Sequence, residues 1–163
     1  MKSGDILLYK GKGFWSWVIS VGTGSAYTHV SLCVDPGKNL LIEAIAGGGV
    51  RASDIRFRHD YDVYRVKSLH QYDLDKVVSF LVGKLNLKYD YIGVIALGIL
   101  KVLRLKKQAN KWQREKDYFC SEIICAAFRA GGLDVVPGVA IDSNASPKDI
   151  AESEIIEITT GET

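Results

Sequence analysis

Cys120 occupies the position in this sequence with the most pointed chemistry. It opens the run Cys120-Ser121-Glu122-Ile123-Ile124, and apolar residues continue at helical spacing through Ala127 and Phe128, so the thiol falls in the first turn of a helix. There the positive end of the helix dipole and the unpaired N–H groups favour a thiolate and lower its pKa. The same N–H groups could steady an oxyanion beside the sulfur. Cys125, about 500° further round at roughly 100° per residue, faces elsewhere. The plainer role for Cys120 is that of a small buried hydrophobe, which is common for free cysteine.

His29 and Glu43 supply what a thiol nucleophile needs. Val30, Leu32 and Val34 alternate with His29, Ser31 and Cys33, the pattern of a strand with two unlike faces, and His29 lies on the face away from the apolar stripe. An ordinary hydrogen-bonded surface histidine would show the same pattern. Glu43 interrupts Leu40-Leu41-Ile42 and Ala44-Ile45-Ala46, where a charge is costly unless it is paired or at a wet edge. A hairpin with Cys33 opposite Asn39 predicts Glu43 directly opposite His29, and a one-residue slip would send the two to opposite faces. His29 then accepts the thiol proton, Glu43 holds the imidazole in the useful tautomer, and Cys120 attacks a carbonyl carbon to give an acyl-enzyme. Ser121, Tyr118 and Tyr9 are candidates for oxyanion or substrate contacts, with packing the plainer role for both tyrosines. Cys33 shares a strand face with His29, but third and fourth ligands are lacking, so no metal is expected. The run Gly47-Gly48-Gly49 lacks the Gly-Lys-Ser/Thr ending of a phosphate loop and reads as a turn, and no cofactor is expected.

The elements that position these residues are short. Residues 6–9 read as a buried strand, and 13–21 as one or two helical turns before the loop Gly22-Thr23-Gly24-Ser25. Strands over 30–34 and 40–46 are joined at Pro36-Gly37. The polar stretch 51–59 shows no clear period, and 63–66 is a further strand. Leu74, Val77, Val78, Leu81, Val82 and Leu85 share one face, which predicts a helix over 73–85. A second helix over 119–130 closes at Gly131-Gly132, and a short one starts at Ser146-Pro147-Lys148-Asp149, before a last strand at 155–158. Residues 92–100 are apolar but too short to span a bilayer. They run into Lys101, Arg104, Lys106, Lys107, Lys111, Arg114 and Lys116, a basic amphipathic arm that could meet an anionic membrane surface. Strands before residue 66 and helices after it predict an α+β fold.

Composition narrows the function classes. The 163 residues carry 21 Lys+Arg against 19 Asp+Glu, a formal charge of +2, and 47% are apolar, which suits one domain over 1–163. With 25% charged and 10% aromatic residues the chain is neither disordered nor low-complexity. The near-neutral balance excludes a nucleic-acid binder held by charge along the whole chain. Cys33, Cys120 and Cys125 match neither a disulfide framework nor paired zinc knuckles, which favours a reducing compartment. Met1-Lys2-Ser3-Gly4-Asp5 leads into no apolar signal core, so the expectation is a cytoplasmic protein, with membrane association through the basic arm.

Five segments carry a resemblance. Gly4-Asp5-Ile6-Leu7-Leu8-Tyr9, the run from Gly22 to Val30, Leu41-Ile42-Glu43-Ala44, Tyr89-Asp90-Tyr91-Ile92-Gly93, and Tyr118-Phe119-Cys120-Ser121-Glu122-Ile123-Ile124 resemble the YiiX/YaeF-like circularly permuted papain-fold hydrolases. These are relatives of the NlpC-type cell-wall peptidases and of the lecithin-retinol acyltransferase group. The resemblance covers the chain from Gly4 to about Ala151. It implies a permuted papain-like α+β fold, a small antiparallel sheet or partial barrel packed against helices, with the histidine strand ahead of the cysteine helix. It also implies Cys120 as nucleophile, His29 as base and Glu43 as third residue of a thiol hydrolase or acyltransferase. Peptidoglycan peptides, acylated amines, lipid esters and protein conjugates all offer the carbonyl such a site attacks. A non-catalytic membrane-surface module and a degenerate papain-like interaction protein are the competing readings.

Overall fold

The two-faced strand predicted around His29 is realised in β2 (Tyr27–Asp35), where Val30 and Leu32 are buried in a core of which Ile6 and Leu8 of β1 (Ile6–Lys10) are also part. The computed structural model describes residues 1–10, 26–45, 49–85, 120–139 and 145–159. Its other strands are β3 (Leu40–Ile45), β4 (Gly49–Asp54), β5 (Tyr61–Val66) and β6 (Ile156–Ile158), and its helices are α1 (Leu74–Gly83), α2 (Cys120–Ala130) and α3 (Pro147–Ala151). The strands form one antiparallel sheet in the order β4-β3-β2-β1-β5-β6. The expected segments 13–21 and 92–116 lie outside the described residues. The polar stretch that showed no period is β4 followed by a one-turn 3-10 helix over Ile55–Phe57.

The sheet's two faces differ in partners. On one, Ile6, Leu8, Val30, Leu32, Ile42 and Ala44 meet Val77 and Leu81 of α1, Ile123, Ile124, Ala127 and Phe128 of α2, and Ile150 of α3. Leu7, Tyr9, Cys33 and Leu41 form a smaller cluster on the other. Helix α2 presents the apolar stripe its sequence spacing predicts, whereas in α1 only Val77 and Leu81 of the predicted stripe are buried and Val82 is exposed. Asp5 ties the start of β1 to its neighbours: its carboxylate accepts a fork from Arg65 at 2.7 and 2.8 Å, and its carbonyl accepts from the Cys33 amide at 2.8 Å.

The helix ends follow the expected capping chemistry. Asp73 caps α1 through the Lys76 amide, and Ser146 with Asp149 forms a reciprocal capping box at α3. At the end of α2, Gly132 takes a φ of 90°, its amide bonds the Arg129 carbonyl and the Leu133 amide bonds the Phe128 carbonyl, a Schellman closure. Gly131 is needed for a different reason. A Cβ there would sit 2.5 Å from Val77 Cγ2 and 2.8 Å from the Asp73 carbonyl, because α1 and α2 touch backbone to backbone, with the Asp73 amide donating to the Gly131 carbonyl at 2.8 Å. Gly131→Ala is expected to cost about 2 kcal/mol by overpacking, a fall in Tm on the order of 4–8 °C for a chain of this size. Gly83→Ala, with nothing within 4 Å of the added carbon, is the control and should melt no lower than the native protein. Equal melts for the two variants would contradict the close-approach account.

Candidate active site

The turn between β2 and β3 sets which residues face each other. Pro36–Lys38 forms a 3-10 turn capped by the Asp35 side chain and closed by Asn39 at a left-handed φ of 57°. Four residues are thereby spent on the connection, pairing resumes at Asp35 with Leu40, and an irregularity follows before Cys33 pairs with Leu41 and Ser31 with Glu43. The expected register, Cys33 opposite Asn39, is therefore wrong by two residues, because it assumed a tighter turn at Pro36-Gly37. An even slip keeps every side chain on its face. His29 and Glu43 remain neighbours as a diagonal pair, not directly opposite, with His29 Nε2 at 2.9 Å from Glu43 Oε2.

Cys120 reaches the same place from the other side of β2. Cα pairing of β2 with β3 ends at Ser31 and Glu43. One residue beyond, the Val30 backbone hydrogen-bonds Cys120 at the first residue of α2, as does the backbone of Ser121. The His29 ring is the side chain that lowers the thiol pKa, by hydrogen bonding and charge. Since Nε2 is given to Glu43, Nδ1 is the ring nitrogen left for the sulfur. A helix start and two strands thus bring Cys120 into electrostatic contact with His29, which is hydrogen-bonded to Glu43.

The electrostatics follow from burial and partners. Glu43 is fully buried, which alone would raise its pKa, but the His29 hydrogen bond and charge, Arg58 and Arg51 outweigh burial and bring it down to about 2. Burial pulls the His29 pKa down, yet the hydrogen bonds and charges of Cys120 and Glu43 lift it to about 9. Burial pushes the Cys120 thiol up, and the His29 hydrogen bond and charge, with the backbone bonds at Val30 and Ser121, bring it below the ordinary thiol value. The favoured resting state is a thiolate beside an imidazolium beside a carboxylate.

Arg51 and Arg58 were missed by the sequence reading. Arg51 of β4 is paired directly with Glu43 across the sheet, and both its Nε and Nη2 lie 3.1 Å from Oε1. Arg58, just past the 3-10 turn, donates from Nη2 to the same oxygen. The signal was the demand of Glu43 itself, a carboxylate inside an apolar strand that needs cations, with the arginines in the segment that follows.

The other candidates are placed as follows. Tyr9 stands opposite His29, its ring 5.4 Å away, and its hydroxyl meets Ser31 Oγ at 2.8 Å, while burial pushes its phenol up to about 12. The Ser121 hydroxyl is buried and donates to the Ala145 carbonyl at 2.6 Å, bracing α2 against the residues ahead of α3, so it is the backbone of Ser121 that faces the sulfur. Tyr118 and the basic residues Lys101, Arg104, Lys106, Lys107 and Lys111 lie outside the described residues. Cys33 and Cys125 are buried thiols, and burial raises the Cys33 thiol to about 11.

The fold is similar to that of the metalloprotein YiiX (DUF1105) from Escherichia coli O157:H7, known from its crystal structure. The match covers 99% of this chain and 97% of that one, at 19% identity and a TM-score of 0.70. At that identity the likeness establishes the fold, and the α+β, YiiX-like architecture implied by the motifs is the one observed. No family model matches the sequence, and no curated protein matches it.

Proposed function

We propose that the protein is a cysteine hydrolase that cleaves an amide, ester or thioester through an acyl-enzyme on Cys120. The juxtaposition of Cys120 with a His29 that is hydrogen-bonded to Glu43 is the observation that carries the reading, and the YiiX-like fold supports it. The Cys120 thiolate attacks the carbonyl carbon, a C–S bond forms, and the C=O electron pair moves to oxygen. Backbone N–H groups at the start of α2, which have no acceptor within the helix, stabilise that oxyanion. Collapse of the intermediate breaks the bond to the leaving group, which takes the proton from His29 Nδ1. Water then attacks the thioester, gives its proton to Nδ1, and the C–S bond breaks to release the acid and restore the thiolate. Glu43 stays ionised throughout and keeps the Nε2 proton in place. An acceptor other than water would turn the same intermediate to acyl transfer.

YiiX is named a metalloprotein. Among the described residues of the present chain, no group of three or more His, Cys, Asp and Glu side chains is placed to hold a metal ion. Glu43, the carboxylate beside His29, already carries two guanidiniums, and a cation brought there would meet like charge. This donor set does not fit a resident metal, and no step above uses one.

The test is a quenched reaction with p-nitrophenyl acetate followed by peptide mass analysis. The acetyl group is expected on the Cys120 peptide, with a burst of p-nitrophenol equal to the enzyme present, and Cys120→Ala should lose the burst. A native protein with no acetyl on Cys120 would overturn the reading.

A further inference from the structure

The two oxygens of Glu43 serve different partners. Among the described residues Oε2 meets His29 Nε2, at 2.9 Å, whereas Oε1 accepts from Arg51 Nε at 3.1 Å and from Arg58 Nη2, with Arg51 Nη2 ion-paired to it at 3.1 Å. Each carboxylate oxygen has two lone-pair directions, and the two arginine bonds occupy those of Oε1. The arginines come from separate segments, one paired across β3 and β4 and one beyond the 3-10 turn. Among the described residues, Arg58 Nε is buried with no hydrogen-bond partner. That burial is unfavourable in itself, so contact with the carboxylate is what holds the side chain there. Holding one histidine needs a single hydrogen bond, and the remaining contacts require another explanation.

We propose that Arg51 and Arg58 are positioning residues that divide the carboxylate: their guanidiniums fix Oε1, so that Oε2 can only accept from His29 and Glu43 never takes the imidazolium proton. A buried glutamate facing a histidine alone would be pushed upward by desolvation and could become neutral, and the imidazolium, and with it the thiolate, would then lose its counter-charge. The groups facing this carboxylate are His29 from β2, Arg51 from β4 and Arg58, with Tyr9 from β1 nearby and Cys120 from α2 beyond His29. The inference deepens the hydrolase reading and rests on it only for the consequence at Cys120.

Two readouts test it in Arg51→Gln and Arg58→Gln, each first shown to keep the native circular dichroism. Protein labelled with 13C at glutamate Cδ is titrated from about pH 3 to 8, across the ordinary carboxylate range. The Glu43 signal is expected to stay flat in the native protein and to show a step in the variants, its midpoint raised by about 1–3 units. Alkylation of Cys120 by iodoacetamide should fall on the acid side of that step, and Arg58→Lys, which keeps the charge, should return the signal to flat. A Glu43 signal that stays flat in both glutamine variants overturns the proposal. A shifted Glu43 step in a protein whose native Cys120 cannot be acylated would uphold the clamp and defeat the hydrolase reading.

Discussion

At about pH 6 iodoacetamide should modify Cys120 faster in the native protein than in His29→Ala, by up to about 30-fold. An ordinary thiol with a pKa of 9.0 is about one part in a thousand thiolate at that pH. The lowered Cys120 thiol holds more thiolate than that, up to a ceiling of about 10³-fold more at full ionisation, and its lower intrinsic nucleophilicity takes back about half of the gain on a logarithmic scale. The sign of the pH dependence follows from the two shifts. His29 is lifted to about 9, so it stays charged through neutrality and the ion pair breaks only as pH rises through that value. The Cys120 thiol is lowered, so the thiolate persists below the range of a free thiol. Labelling should therefore begin at lower pH in the native protein than in the variant, where it should climb only at high pH. The ion pair's contribution to stability through His29 is fully present below the ordinary 6.5 and is lost as pH rises through about 9. Cys33, whose thiol burial raises to about 11, and Cys125, which is fully buried, serve as internal controls and should stay silent. Peptide mass analysis of labelling rates from about pH 5 to 9 reads all three sites at once. Uniformly slow labelling, with the same profile in both proteins, would remove the activated thiolate.

What the sequence made legible was the local part of this arrangement. Helix α2 could be read because its apolar spacing, its opening at Cys120 and its closing glycines all agree, and β2 because strict alternation separates His29 from Val30 and Leu32. The face shared by His29 and Glu43 was legible for the same reason: side-chain parity survives an even error in register. The register itself was not, since it depended on Asn39 adopting a left-handed conformation that only the completed turn reveals. Strand β4 was missed because Gly49-Val50-Arg51-Ala52-Ser53-Asp54 has little apolar content, and it is held by pairing to β3 along its length. Arg51 and Arg58 went unread with it. Their meaning depends on a carboxylate eight and fifteen residues away being fully buried, a property of the assembled sheet. The cysteine helix and the histidine strand, ninety-one residues apart, were joined in advance by the complementary chemistry of their side chains and by the resemblance; periodicity carries no information about which helix crosses which strand.

Glu43→Gln should harm the chemistry more than Glu43→Ala, although it harms the fold less. The glutamine keeps the shape of the native side chain but has one acceptor and one donor where the carboxylate had two acceptors. Three N–H contacts from Arg51 and Arg58 converge on Oε1, and the amide oxygen has to remain there, because an amide N–H pointed at two guanidiniums is repelled. The NH2 group is then turned to His29 Nε2, which must present a lone pair to receive it. That choice moves the ring proton to Nδ1, the nitrogen facing Cys120, and an Nδ1–H cannot accept the thiol proton. An imidazolium is no escape, since its Nε2–H would meet the amide N–H. The wrong tautomer is expected to lower the acylation rate by about 10³-fold or more. Alanine leaves space in which water can accept from Nε2, so the useful tautomer survives and the loss of rate is smaller. Its penalty falls on stability: both variants remove the counter-charge, but alanine also leaves the two guanidiniums without an acceptor, at about 2 kcal/mol, a figure below that of fully buried pairs because Arg51 and Arg58 keep 45% and 25% of their side chains exposed. The p-nitrophenol burst and a thermal melt, run on both variants, separate the two effects. Glutamine acylating as fast as alanine would mean that Glu43 acts on the fold alone and that the tautomer of His29 is set by some other group.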